Sequence, residues 1–146
     1  MGETESDRSD QAGEGKAVDR VILLAHGSKA ESWKSPFESL LQRLHEKMRE
    51  ERRGEMSLAY MEFARPSLEE SFDEARADSM EKLVVLPLFI AVGTHVGRDI
   101  PRRIAAYRTR FPEIEIDLLP ALGEEPEFLD TLAGYIYEYL CTKIGE

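Results

Sequence analysis

The chain has 146 residues, 42% hydrophobic and 33% charged, and its 29 acidic against 19 basic side chains give a net charge of −10. That composition describes one globular domain able to bury a core, and excludes a fibre or a bilayer-spanning chain, since no apolar run approaches the roughly 20 residues of a membrane helix. The acidic balance argues against a nucleic-acid binder, and the single Cys141 excludes a disulfide-built secreted scaffold and makes a reducing cytoplasm the expected home.

Residues 1–19 carry six acids, two bases and almost no bulky apolar side chain. Such a segment cannot offset the entropy of being ordered, so a disordered acidic tail is expected there, ahead of a folded domain over 20–146. The domain opens on Val21-Ile-Leu-Leu-Ala25, a continuous apolar run stopped by His26-Gly27-Ser28. That pattern predicts a strand buried on both faces. Phe37, Leu40, Leu41, Leu44 and Met48 then recur at helical spacing, with Gly54 placed to end the segment.

Met56 to Phe63 predicts a second strand, and Pro66-Ser67 opens a second helix with Leu68, Phe72 and Ala75 on its apolar stripe. Leu83 to Phe89 is the clearest buried strand and leads into a loop containing Gly93, His95 and Gly97. Asp99 is the expected N-cap of a third helix, with Pro101 in its first turn and Ile100, Ile104 and Tyr107 repeating until Phe111-Pro112. Ile114 to Leu119 predicts a short fourth strand, and Phe128, Leu129, Leu132, Ile136 and Leu140 mark a C-terminal helix. The β-α alternation predicts an α/β fold with a four-stranded parallel sheet and helices on both faces, because parallel neighbours need crossover connections.

In open parallel sheets, ligands sit beyond the carboxyl ends of the strands. His26 ends the first strand, Glu62 lies near the end of the second, and His95 follows the third. Two imidazoles and a carboxylate suit a borderline divalent ion and leave coordination positions open. Taken singly, each has a plainer role as a turn histidine or a solvated charge; placement at three successive strand ends carries the case. Gly27 allows a close backbone approach, and Ser28 can cap the next segment or donate to a ligand. The apolar run Pro87 to Val92 is either a buried strand end or the wall of a pocket for a flat ligand.

Five arginines, at 98, 102, 103, 108 and 110, face one acid, Asp99, in a chain that is acidic overall. Arg98 and Arg102, nearest His95, are the better candidates to meet a polyanion through bidentate pairing, whereas Arg108 and Arg110 lie farther along the helix. His45 stands amid charges inside the first helix and is expected to face solvent.

Three motifs in this order resemble the class II tetrapyrrole chelatases, above all the short single-domain sirohydrochlorin chelatases. They are His26-Gly27-Ser28 after an apolar strand, Met61-Glu62-Phe63-Ala64-Arg65-Pro66-Ser67-Leu68, and Leu86-Pro87-Leu88-Phe89 leading to Gly93-Thr94-His95 and Asp99-Ile100-Pro101. The resemblance runs from about Val21 to the C-terminus. It implies a flavodoxin-like, chelatase-like fold and ATP-independent insertion of a divalent metal into sirohydrochlorin, in cobalamin or siroheme-type biosynthesis. Co²⁺ is the expected metal by family habit, with Fe²⁺ and Ni²⁺ as alternatives, and no nucleotide is needed. The motif histidines correspond to His26 and His95 and the motif glutamate to Glu62, the same trio as above, with catalytic and metal-holding roles. Ser28, Val92, Gly93, Thr94, Arg98 and Arg102 are the expected macrocycle-binding residues. Larger relatives hold two such units in one chain, which implies a homodimer here, and neither nucleic acid nor a membrane is an expected partner. The acidic tail is additional to the family pattern, and the histidine-rich tail of some relatives is absent.

Two readings of other classes stand beside it. A metal or tetrapyrrole carrier would keep the fold and the histidines without turnover. A hydrolase built on His26-Gly27-Ser28 ranks lower, because no Gly-x-Ser-x-Gly elbow or phosphate-cradling glycine loop is present.

Overall fold

The computed structural model describes residues 17–48 and 55–145. Four parallel strands, β1 (Arg20–Ala25), β2 (Glu55–Tyr60), β3 (Lys82–Pro87) and β4 (Glu115–Leu118), form one sheet in the order β2-β1-β3-β4. A short 3-10 turn, Glu31–Lys34, leads into helix α1 (Ser35–Met48); α2 (Leu68–Ala77), α3 (Thr94–Arg110) and α4 (Pro126–Ile144) follow. The chain moves from β1 outward to β2, then back across β1 to β3 and on to β4. Right-handed crossovers therefore set α1 on one face and α2 with α3 on the other.

Side-chain alternation along the strands divides the core accordingly. Ile22, Leu24, Ala59 and Val85 face Leu68 and Phe72 of α2 and Ile100 and Ile104 of α3. On the other face Leu23, Ala25, Leu58 and Tyr60 meet Trp33, Phe37, Leu41 and Leu44. The first strand is almost wholly buried, as its apolar run predicts. β3 differs: Leu83, Val85 and Pro87 are buried, while Lys82, Val84 and Leu86 on the α1 face are only half-buried. The C-terminal helix forms where the spacing predicts it, yet it has no buried residue, and Leu129, Ile136 and Leu140 are 44%, 46% and 45% exposed.

Three boundaries shift for local reasons. The second strand ends at Tyr60, not Phe63, because the Tyr60 N–H donates to the Pro66 carbonyl and Phe63 turns the chain at φ 65°. Pro66, after a cis Arg65–Pro66 bond, precedes the second helix instead of entering it, and Ser67 is the N-cap. The third helix starts at Thr94, ahead of the expected Asp99 cap, with Gly93 as N-cap and the Gly97 N–H donating to the Gly93 carbonyl at 2.9 Å. Asp99 instead approaches Arg103 one turn on, at 3.7 Å. Pro101 thus lies inside the helix, where it removes the bond to the carbonyl of Gly97. Burial of Ile100, Ile104 and Tyr107 against the sheet carries the helix through that loss.

Residues 1–16 of the expected tail and the expected helix stop at Gly54 lie outside the described residues. Asp19 is already tied to the fold, its carboxylate accepting from the N–H groups of Glu81 and Lys82 at 2.8 and 3.1 Å. His45 is exposed, as expected, with its Nε2 3.2 Å from the Met56 carbonyl oxygen.

The N-terminus of α2 is a reciprocal cap. Ser67 Oγ accepts from the Glu70 N–H, and the Glu70 carboxylate accepts from the Ser67 N–H at 2.9 Å and from the Arg65 guanidinium. Arg65 first, then the Ser67 N–H, holds the Glu70 carboxyl down at about 2 from its ordinary 4.5. A depressed carboxyl stabilises the fold above its unfolded value and loses that contribution as pH falls through its folded value. Melting curves of wild type and Glu70→Gln should therefore differ at neutral pH and converge between about pH 4.5 and 2. An undiminished difference at pH 2 would count against this cap.

Candidate functional site at the carboxyl rim of the sheet

His26 is the residue after β1 and is exposed, its ring centroid 4.7 Å from that of the buried Phe89. Glu62 lies just past β2. Parallel pairing continues beyond the strand ends there: the Met61 N–H donates to the Ala25 carbonyl at 2.9 Å and the Glu62 N–H to the His26 carbonyl at 3.0 Å. Gly27 makes this approach possible. Its φ is +103°, and a Cβ built on it would stand 1.7 Å from the Glu62 carbonyl oxygen. Only a residue without a side chain fits both the dihedral and the space.

His95 lies in the first turn of α3, reached by the loop after β3. Because β1 runs between β2 and β3, His26 stands between the Glu62 and His95 segments along one rim. This is where the connections part to opposite sides of the sheet, the position at which open α/β sheets bind ligands. All three side chains are exposed. Among the described residues no three His, Cys, Asp or Glu side chains are gathered closely enough to hold an ion by themselves. The trio shares a rim, and it is not a preassembled cage.

The remaining candidates divide. Ser28 Oγ accepts from the Ala30 N–H at 3.1 Å, which gives the hydroxyl a local turn role. Val92 is half-buried against the core and, with Pro87, Ile100, Pro101 and Leu118, lines an apolar cleft of about 300 Å³. Gly93 is exposed at the helix cap. Thr94, His95, Arg98, Asp99 and Arg102 line a neighbouring cavity of about 280 Å³.

Structure also sorts the five arginines. Arg103 is engaged by Glu69, with Nε 2.7 Å from Oε2, and depresses that carboxyl below the ordinary range. Arg108 donates to the Ile116 carbonyl, and Arg110 lies 5.0 Å from the Phe111 ring centroid. Among the described residues Arg98 and Arg102 have no ion-pair partner, and both open onto the cavity beside His95. Their charges add to the positive end of the α3 dipole.

Two features of the rim escape sequence reasoning. Phe63 follows Glu62 with an exposed ring in a left-handed backbone conformation, and Gly123 abuts the loop that carries Ile90. A phenylalanine closing an apolar run reads as strand interior, and a glycine far along the chain gives no sign of what it touches.

Solved structures follow the same chain course. A CbiX protein from Marinobacter aquaeolei VT8 superposes with a TM-score of 0.72 at 31% identity, over 84% of this chain and 97% of that one. The sirohydrochlorin chelatase SirB from Bacillus subtilis subspecies spizizenii, solved in complex with cobalt, shares the fold at a TM-score of 0.66 and 20% identity, this chain covering 50% of it. The fold is thus the chelatase-like α/β class. The CbiX family model matches residues 20–139, and the chain belongs to the CbiX family. It is also 31% identical over 124 residues to the sirohydrochlorin cobaltochelatase of Saccharolobus solfataricus, covering 81% of this chain and 93% of that enzyme.

Proposed function

We propose that this chain is a sirohydrochlorin chelatase that inserts a divalent metal, Co²⁺ by preference, without ATP. The observation that carries the reading is the shared rim: His26, Glu62 and His95 on three adjacent segments, beside Arg98 and Arg102, which have no ion-pair partner among the described residues. Metallation removes two pyrrole N–H protons and exchanges the ion's water for ring nitrogens. It needs a weak, incomplete ligand set and a base near the ring. His26 and His95 present the ion and accept the protons, and Glu62 joins the coordination shell or offsets its charge. Arg98, Arg102 and the Thr94 end of α3 receive the many carboxylates of the macrocycle.

A second copy of the chain completes the enzyme. SirB is twice the length matched here, and the apolar stripe of α4 lies bare on the single unit. Sedimentation of the purified protein is expected to give a dimer; a single species of 16.6 kDa would overturn that part.

The reaction itself is tested by an anaerobic absorbance assay with sirohydrochlorin and, separately, Co²⁺, Fe²⁺ and Ni²⁺. Acceleration over the protein-free control, greatest with Co²⁺, is expected. Binding of metal or macrocycle with no acceleration would replace the enzyme by a carrier.

A further inference from the structure

Phe63 and Ile90 are 59% and 61% exposed, and both stand at the carboxyl rim, after β2 and β3. The β1 end with His26 lies between those two segments. Water-facing apolar side chains of this size beside a polar site have no part in the core.

Their backbones are fixed in the same way from opposite sides. Gly27 leaves 1.7 Å between a would-be Cβ and the Glu62 carbonyl oxygen, and Gly123 leaves 1.4 Å to the Ile90 carbonyl oxygen. The Gly123 N–H also donates to the Phe89 carbonyl at 2.8 Å. Phe63 is further held at φ 65°, a conformation a bulky aromatic adopts only where its surroundings impose it. Strain at an exposed ring contributes nothing to stability. The Lys29 ammonium lies over the Phe63 ring, 5.2 Å from its centroid, so a cation stands on one face of that ring and leaves the other face for a ligand.

We infer that Phe63 and Ile90, clamped by Gly27 and Gly123, form an apolar platform on either side of His26 that receives the flat face of the tetrapyrrole, with Lys29 meeting a peripheral carboxylate. The inference rests on the chelatase reading and adds the residues that seat the ring over the ion. Macrocycle burial on these two side chains supplies the hydrophobic component of affinity that the arginines cannot, since guanidinium groups meet only the rim of the ring.

Metal-free sirohydrochlorin is titrated by absorbance into the full chain, as wild type, Phe63→Gly, Phe63→Tyr and Ile90→Ser. Phe63→Gly and Ile90→Ser should each weaken binding about tenfold, while Phe63→Tyr, which keeps the aromatic face, binds like wild type. Phe63→Gly should melt no lower than wild type, because glycine adopts positive φ without strain. Unchanged affinity in Phe63→Gly and Ile90→Ser overturns the platform and leaves the chelatase reading intact. Weakened binding with a lowered melting temperature in both variants overturns it as well, by making the loss one of folding. Failure of the wild type to bind the macrocycle overturns the platform together with the chelatase reading.

Discussion

Replacing His95 with alanine is expected to slow metal insertion by about 10²-fold or more at limiting metal, the loss typical of removing a positioned proton acceptor. His26→Ala should do the same, and the double variant should fall little below either single one, because groups that act on one ion and one pair of protons are not additive. Macrocycle affinity should hardly move in either variant, since Arg98, Arg102 and the apolar rim are untouched. Initial rates at several metal concentrations separate the possibilities. Rates restored by excess metal would assign the histidine to holding the ion, and a deficit that persists would assign it to proton removal. A His95→Ala protein with full rate at limiting metal would remove the basis of the site.

Gly27→Ala is expected to damage both fold and activity. The new methyl must adopt φ +103° and displace the Glu62 carbonyl from 1.7 Å, so β1 and β2 can no longer approach at the rim. A left-handed conformation for a side-chain-bearing residue, together with overpacking, predicts a loss of about 2–5 kcal/mol in unfolding free energy. The denaturant midpoint measures that loss. Insertion rate should fall further than the folded fraction does, because the Glu62 N–H to His26 carbonyl bond sets where both groups stand. A midpoint equal to wild type would mean that the loop relaxes freely and that the clamp has been misjudged.

Patterns with strong periodicity were legible in the sequence, and loop geometry was not. The run from Val21 to Ala25 predicts a strand buried on both faces, and β1 is the second strand of four. The order of β and α segments, with the right-handed crossover rule, is enough to place His26, Glu62 and His95 on one rim. Helix α3 shows where local signals mislead. Asp99 and Pro101 carry the marks of a helix start, but Gly93 offers an earlier one, and packing of Ile100 and Ile104 continues the helix through the proline. The arginine run likewise has no internal feature that separates Arg103 from Arg102; a glutamate on another helix, Glu69, makes the distinction. The contacts of Gly27 with Glu62 and of Gly123 with Ile90 join residues remote in sequence, and composition contains no trace of them.

The central place of β1 also governs the order in which this protein can be made. Both neighbours of β1 come later in the chain, β2 at Glu55–Tyr60 and β3 at Lys82–Pro87. During synthesis the segment Val21 to Ala25 is therefore an apolar strand with two open edges until β2 has followed it, and with one open edge until β3 does. Such a segment is the kind most apt to pair with a neighbouring nascent copy. Six acids in the nineteen residues around its amino end supply like-charge repulsion between copies at that stage, the service that flanking charges give to hydrophobic strands elsewhere.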